Sequence, residues 1–476
     1  MWPRVWFVIT STLAREGSTF HPRPLNGLPI PADKNKEAPI AGYTNWSRAR
    51  FLYFMSDRVP IPHHGSRLVR SPLRLNALGS VESTFLQDEM QFRHPLEADG
   101  PLFERAGPRE QIFFEPARTK VAIVTCGGLC PGLNNVLRSL YLQLHYHYGV
   151  PAVMGIRYGY AGFSPDATRP PLWLNAEIVK SVHQFGGTLL GTSRGPVSAD
   201  IIVDFLEQRG INILFTVGGD GTQRGAHDIV EEIQRRKLQI SVIGIPKTID
   251  DDVQYVNRSF GYYTAIEKAK EVIDSAHVEA HCVYNGISLV KVMGRDSGFI
   301  AAGATLASQE VNFTLVPEVP FQLEGEHGLL AALHRRLLER HHAVIVVAEG
   351  AGQPLLPPSE ERDASGNLLH RDIGHFLHHK IRDHFASQRF PVVIRYLDPS
   401  YYIRSVPAST VDSVLCDSFA RHAVHAAMAG KTDIIIGLQH GVFIHVPIPM
   451  ATAERKRLSS EEWASVVTAT GQPDLA

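Results

Sequence analysis

The 476-residue chain reads as an α/β protein built on a mostly parallel sheet. Three observations predict this class. Apolar runs at 121–124, 213–217, 241–245 and 343–348 lack the in–out alternation of a solvated strand, as strands covered on both faces do. Segments with helical spacing separate them, and several runs end in turns rich in glycine or carboxylates.

The alternation begins at Lys120. A strand at 121–124 leads into a Gly-rich turn, and 134–148 follows as a helix with Val136, Leu137, Leu140 and Leu144 on one face. A strand at 153–156, a helix at 199–208, a strand at 213–217, a helix at 225–236 and a strand at 241–245 continue the rhythm. A helix at 262–276, a strand at 286–293, a helix at 295–308 and a strand at 312–316 come next. A helix at 329–340 and a strand at 343–348 complete this stretch, the last strand ending at Glu349. Residues 352–366 are rich in Pro, Ser and charge and read as a surface loop. Helix and strand patterns resume over 368–449. Residues 1–105, rich in Pro, Arg, His and Ser without periodicity, read as an extension flanking the core, partly disordered.

Composition excludes several classes. Lys+Arg number 47 against 48 Asp+Glu, so no global field draws the chain to nucleic acid or an acidic membrane. No apolar stretch approaches the ~20 residues of a membrane-spanning helix. The four cysteines form neither a disulfide framework nor a paired C-x-x-C zinc pattern, which points to a reducing compartment and a cytoplasmic location. Residues 1–20 carry Arg4, Arg15 and several hydroxyls with no acid before Glu16, a composition that organelle transit peptides share with untidy chain ends.

Chemistry concentrates in two loops. Gly218-Gly219-Asp220-Gly221-Thr222 follows one buried strand and offers backbone amides beside a carboxylate. Pro246-Lys247-Thr248-Ile249-Asp250-Asp251-Asp252 follows the next and offers a basic group, a hydroxyl and three carboxylates. Loops at the carboxyl ends of parallel strands are where open α/β sheets place ligands. This set suits binding of magnesium and phosphate together with proton abstraction from an alcohol, as phosphoryl transfer requires. A third turn, Cys126 to Asn134, lets the backbone approach a phosphate at a helix N-terminus, although it fits neither standard nucleotide fingerprint. Histidines at 375, 378, 379 and 384 have metal-compatible spacing on a helix, but read as a solvated face beside the core residues Phe376, Leu377 and Ile381.

Together with Leu190-Gly191-Thr192-Ser193-Arg194-Gly195, Met293-Gly294-Arg295 and Glu349, these loops resemble the phosphofructokinase family in order and spacing from about residue 105 onward. Arg105-Ala106-Gly107-Pro108-Arg109, Gln223-Arg224-Gly225-Ala226, Leu397-Asp398-Pro399-Ser400-Tyr401 with Arg404, and Thr470-Gly471-Gln472-Pro473 are similar to its long plant and trypanosomatid branch. The resemblance implies two Rossmann-like parallel-sheet domains facing across an active-site cleft. A nucleotide domain would span 106–250. A sugar-phosphate domain would span 251–450, with the chain crossing back near 350–400, and a tail 451–476.

The resemblance also implies ATP-dependent transfer to the C1 hydroxyl of fructose 6-phosphate, Mg²⁺, and a homo-oligomer, most often a tetramer. Asp250 would be the base, with Asp252 assisting and Arg295 stabilising the migrating group. Asp220 would hold the metal. Gly128, Arg194, Gly195, Gly219, Gly221 and Thr222 would line the nucleotide. Thr248, Ile249, Met293, Gly294 and Glu349 would meet the sugar, and Tyr401 and Arg404 the 6-phosphate. Asp251 stands where relatives commonly carry Asn, and a third carboxylate there would tighten metal binding or raise neighbouring pKa values. Gly221 leaves room for a nucleotide α-phosphate, where pyrophosphate-using relatives place Asp. Lys247 points the other way, so a pyrophosphate-dependent enzyme is the alternative, as is a non-catalytic regulatory subunit. NAD and lipid kinases share G-G-D-G-T but lack the T-I-D and M-G-R combination.

Overall fold

The computed structural model describes residues 58–73, 91–92, 100–362 and 368–475. The Met1–Phe20 targeting question and most of the expected disorder fall outside these residues. The described parts of the extension pack on the core: the His64 N–H donates to the Gly430 carbonyl (3.0 Å) and the Thr432 N–H to that of Pro62 (3.0 Å).

The strands of the two main sheets are β1 (Lys120–Thr125), β2 (Ala152–Ile156), β3 (Leu172–Trp173), β4 (Ile213–Gly218), β5 (Ser241–Pro246), β6 (Gly286–Val292), β7 (Phe313–Leu315), β8 (His342–Ala348), β9 (Val393–Leu397), β10 (Ile434–Gln439) and β11 (Val442–Pro447). The larger sheet has the order β11-β10-β5-β4-β1-β2-β3, parallel except for its antiparallel edge strands β11 and β3. The smaller sheet, β7-β8-β6-β9, is parallel throughout. The apolar runs follow from this: β1, β4 and β5 are central, and all six residues of β4 and of β5 are buried.

Alternation does appear in β8, where it sorts residues between two cores. Val344, Val346 and Ala348 join the core of the larger sheet, whereas Ala343, Ile345 and Val347 join a second one with Leu333, Leu337, Leu377 and Phe385. The principal helices are α1 (Leu133–Leu142), α2 (Ala199–Gln208), α3 (Asp220–Arg235), α4 (Tyr262–Cys282), α5 (Phe299–Ser308), α6 (Leu329–Arg340), α7 (Ile373–Ser387), α8 (Ser400–Arg404), α9 (Thr410–Met428) and α10 (Ser460–Thr470). Leu377 and Ile381 of α7 are buried as core, and Phe376 packs against them partly exposed. After α8 the chain returns to the larger sheet, with α9 packing on α1 before β10 pairs with β5.

Three boundaries shift for physical reasons. Helix α3 starts at Asp220 rather than at 225, because Gly219 is extended and caps it while an acid in the first turn suits the helix dipole. Helix α5 starts at Phe299 rather than 295, since Arg295–Gly298 is drawn into the site. Helix α1 stops being regular at Leu142 and widens over Gln143–Tyr148 before Gly149 ends it. Among the described residues no helix is long and apolar enough to cross a membrane.

Candidate active site

Three neighbouring strands, β5, β4 and β1, end on the same edge of the larger sheet and release the three loops singled out above. In the smaller sheet the neighbours β6 and β8 release Met293–Gly294–Arg295 and Glu349. The two edges meet at Asp250, whose backbone carbonyl accepts from Ser297 Oγ (3.0 Å) and whose Oδ2 lies 3.5 Å from the Arg295 N–H. A cleft of about 810 Å³ opens between them.

Each loop is held by contacts that its sequence makes possible. The Gly127 N–H donates to the Ser193 carbonyl (3.1 Å) and Thr192 Oγ1 to that of Gly127 (2.7 Å), which fixes the Arg194–Gly195 segment against the first turn. Lys247 is buried and its Nζ donates to the Gly128 carbonyl (2.6 Å). Gln223 ties the carboxyl ends of β4 and β5 together, its Nε2 donating to the carbonyls of Gly218 (3.0 Å) and Ile245 (3.3 Å). Gly221 faces open space, with no atom within 4 Å of an added Cβ.

Fourteen of the expected site residues line this one cleft: Gly128, Arg194, Gly195, Gly219, Asp220, Gly221, Thr222, Thr248, Ile249, Asp250, Asp252, Met293, Arg295 and Arg404. Gly294, Glu349 and Tyr401 do not. Glu349 follows β8, and its charge acts on the Asp250 carboxylate. Gly294 takes φ +128° and accepts the Gly350 N–H (3.0 Å). Tyr401 is 75% exposed and its ring stacks under the Arg404 guanidinium.

Electrostatics divides the carboxylates by task. Burial, then the charges of Asp252 and Glu349, push Asp250 well above the usual carboxylate range. Its Oδ1 is buried without a hydrogen-bond partner among the described residues, an unused acceptor on a residue that lines the cleft. Asp252 accepts from Thr248 Oγ1 (2.6 Å) and Arg455 (3.2 Å). Asp220 is raised by burial and by Asp252, and pairs with Arg455 Nε at 3.1 Å.

Asp251 corrects the sequence expectation. It adopts φ +58°, a left-handed conformation that Asn and Asp tolerate better than most residues, and this turns its side chain away from the cleft. There it accepts from the Ser259 N–H (2.6 Å), Arg258 (3.0 Å) and Lys456 (3.0 Å), fully buried. It adds no third carboxylate to the cleft.

Sequence reasoning missed Arg455. It lies some 200 residues beyond the loops it touches, inside a basic Arg-Lys-Arg run that reads as an ordinary solvated face. Its backbone bridges to Val253, and its guanidinium reaches Asp220, Asp252 and Asp296. Nothing local announces this.

Six cationic side chains, Arg194, Arg224, Lys247, Arg295, Arg404 and Arg455, line the cleft against four carboxylates, Asp220, Asp228, Asp250 and Asp252. Among the described residues no three metal-ligating side chains converge on a cage. A site of this kind fits Mg²⁺, which takes one or two carboxylates and completes its shell with phosphate and water. The arrangement is that of an α/β phosphotransferase: cations for a polyphosphate, and a carboxylate oxygen without a partner for an acceptor hydroxyl.

Residues 120–427 match the family described as Phosphofructokinase. The chain is 49% identical over 381 residues to ATP-dependent 6-phosphofructokinase of Borreliella burgdorferi, covering 78% of this chain and 85% of that protein. It is 46% identical over 416 residues to ATP-dependent 6-phosphofructokinase 7 of Arabidopsis thaliana, covering 85% of each. The fold is shared with a solved pyrophosphate-dependent phosphofructokinase from Marinobacter aquaeolei at 16% identity and TM-score 0.61, over 75% of this chain and 92% of that one. The chain belongs to the phosphofructokinase family.

Proposed function

We propose that this chain is an ATP-dependent 6-phosphofructokinase, transferring the γ-phosphoryl group of ATP to the C1 hydroxyl of fructose 6-phosphate. The observation that carries the reading is the unpartnered Oδ1 of Asp250, on a residue lining a cleft that Asp220, Arg194 and Arg295 also line. A sugar hydroxyl is a poor nucleophile near neutral pH. Asp250 takes its proton as the C1 oxygen bonds to phosphorus and the bond to the β-phosphate oxygen breaks, releasing ADP. Such a base is worth ~10²–10⁴-fold.

Arg295 and Arg194 bring fixed positive charge to the oxygens of the migrating group. Asp220, with Asp252 beside it, would hold Mg²⁺, which when bound neutralises charge on the phosphate oxygens. Gly128, Gly195, Gly219, Gly221 and Thr222 border the nucleotide. Thr248, Ile249 and Met293 face the sugar, with Gly294 and Glu349 supporting that side from outside the cleft lining, and Arg404, steadied by Tyr401, takes the 6-phosphate. Glycine at 221 and the names of the relatives above support ATP as donor.

A homotetramer completes the reading. A cytoplasmic location, or an organelle reached through residues 1–20, goes with it; two of the Arabidopsis relatives carry "chloroplastic" in their names. The test is initial rates of the purified protein with Mg²⁺, fructose 6-phosphate and either donor. ATP consumption with formation of the 1,6-bisphosphate is expected. Faster turnover with pyrophosphate would reverse the donor assignment, and activity seen only on adding a second subunit would indicate a regulatory chain.

A further inference from the structure

The segment carrying Arg455 is fixed to both catalytic loops. On one side Val253 bridges to Arg455, and the Lys456 N–H donates to the Asp252 carbonyl (2.9 Å). Lys456 Nζ then reaches Asp251 (3.0 Å) and the carbonyl of Val256 (2.8 Å). On the other side, Glu318 Oε1 accepts from the Leu458 N–H (3.0 Å) and from the Gly298 N–H (2.9 Å) that follows the Arg295 loop. The backbone at 455 is thereby held in place, while its long side chain is 31% exposed at the cleft. That side chain lies between Asp220 and Asp252, 3.1 and 3.2 Å from them, and also meets Asp296.

We propose that Arg455 is the resident counter-cation of the Asp220–Asp252 pair and competes with the divalent metal for it. The metal then gains these carboxylates only when a bound polyphosphate offers the guanidinium another anion. The inference rests on the reading of Asp220 and Asp252 as metal carboxylates. Its physical basis is simple. Two largely buried carboxylates on either side of one guanidinium repel each other, and that guanidinium satisfies both with directed N–H donors. A divalent ion cannot share that position with a fixed positive charge. Phosphate oxygens are the partner to which a planar guanidinium transfers most readily, so nucleotide and metal would enter together.

The test is Mn²⁺ binding read by the EPR signal of the free ion, which requires no turnover. Without nucleotide, Arg455→Gln should bind Mn²⁺ about tenfold more tightly than wild type or better. Arg455→Lys, which keeps the charge but loses the fork, should fall between and guards against a folding defect. With saturating ATP the wild type and Arg455→Gln should converge. Equal or weaker nucleotide-free affinity in Arg455→Gln, with Arg455→Lys also unchanged, overturns the proposal. Asp220→Asn separates the two ideas: loss of Mn²⁺ binding in the presence of ATP upholds the metal site whatever Arg455 does, and full retention defeats that site itself.

Discussion

Replacing Gly221 by Asp isolates the feature that selects the phosphoryl donor. Position 221 is the second residue of α3, and an added Cβ there meets nothing within 4 Å. The variant should therefore fold, gaining up to about 0.3–1 kcal/mol from an acid in the first turn of the helix. The carboxylate would project into the cleft that Arg194, Arg224 and Lys247 also line, on the side the proposed reading gives to the α-phosphate of ATP. Two unit charges ~5 Å apart at an effective dielectric of ~20 repel by about 3 kcal/mol. The neighbouring cations offset part of this, leaving roughly a hundredfold loss in kcat/KM for ATP. Initial-rate assays with ATP and with pyrophosphate, both saturating in fructose 6-phosphate, read the effect. Gly221→Asn, equal in size and uncharged, should lose no more than about fivefold if repulsion outweighs bulk. Equal losses with both donors, or undiminished ATP use by Gly221→Asp, would refute the argument.

Asp250→Asn should lower kcat by ~10²–10⁴ with no fall in Tm, since it also removes a buried like charge; undiminished turnover would sink the assignment of the base. In the wild type the acid limb of kcat/KM should lie above the ordinary carboxylate range, because burial and Asp252 raise Asp250. In Asp252→Asn that limb should move to lower pH, and a shift upward would show that Asp252 does not act through its charge. Glu104 is buried against Arg109 (2.8 Å) and Lys431 (2.8 Å). Burial alone would raise it, yet hydrogen bonding with His445 and the charge of Lys431 hold it well below the usual range. Glu104→Gln should thus cost ~3–5 kcal/mol, read as a lowered Tm at pH 7. A depressed carboxyl contributes fully above its unfolded pKa of about 4.3, so the difference should shrink only as pH falls below that value.

The strands and the loops that follow them were legible because burial on both faces writes a continuous apolar run, and because glycine and carboxylates end it abruptly. Ile213–Gly218 and Ser241–Pro246 could be read almost to the residue. Helix starts were less legible. Gly219-Asp220-Gly221 has the composition of a loop, yet the extended Gly219 lets the helix begin at Asp220, which puts that carboxylate and the first-turn amides at the cleft mouth. Within the site, residues on strand ends could be found one motif at a time, since each carries its own local signal. Lys247 was visible, but not its hydrogen bond to the Gly128 carbonyl, which depends on β1 lying two strands from β5. Arg455 and Glu318 carry no local signal at all, because their partners are set by tertiary packing.

The three consecutive aspartates show how far neighbouring positions can diverge in role. Asp250 and Asp252 line the cleft, whereas the left-handed turn at Asp251 sends its carboxylate into the protein. A buried carboxylate is costly unless its oxygens are fully met, and here one backbone N–H and two cations meet them. One of those cations is Lys456, adjacent to the arginine that bridges Asp220 and Asp252. The charge that looks surplus to metal binding therefore adds to the backbone contacts that hold the distant segment in register with the catalytic loop. An Asn at 251 would keep the turn and accept the Ser259 N–H, but it would leave Lys456 and Arg258 without their shared anion. The acid at 251 and the cations at 258 and 456 thus form one charge set. Whether a relative carries Asp or Asn there should follow the charge of those two partners rather than the chemistry of the cleft.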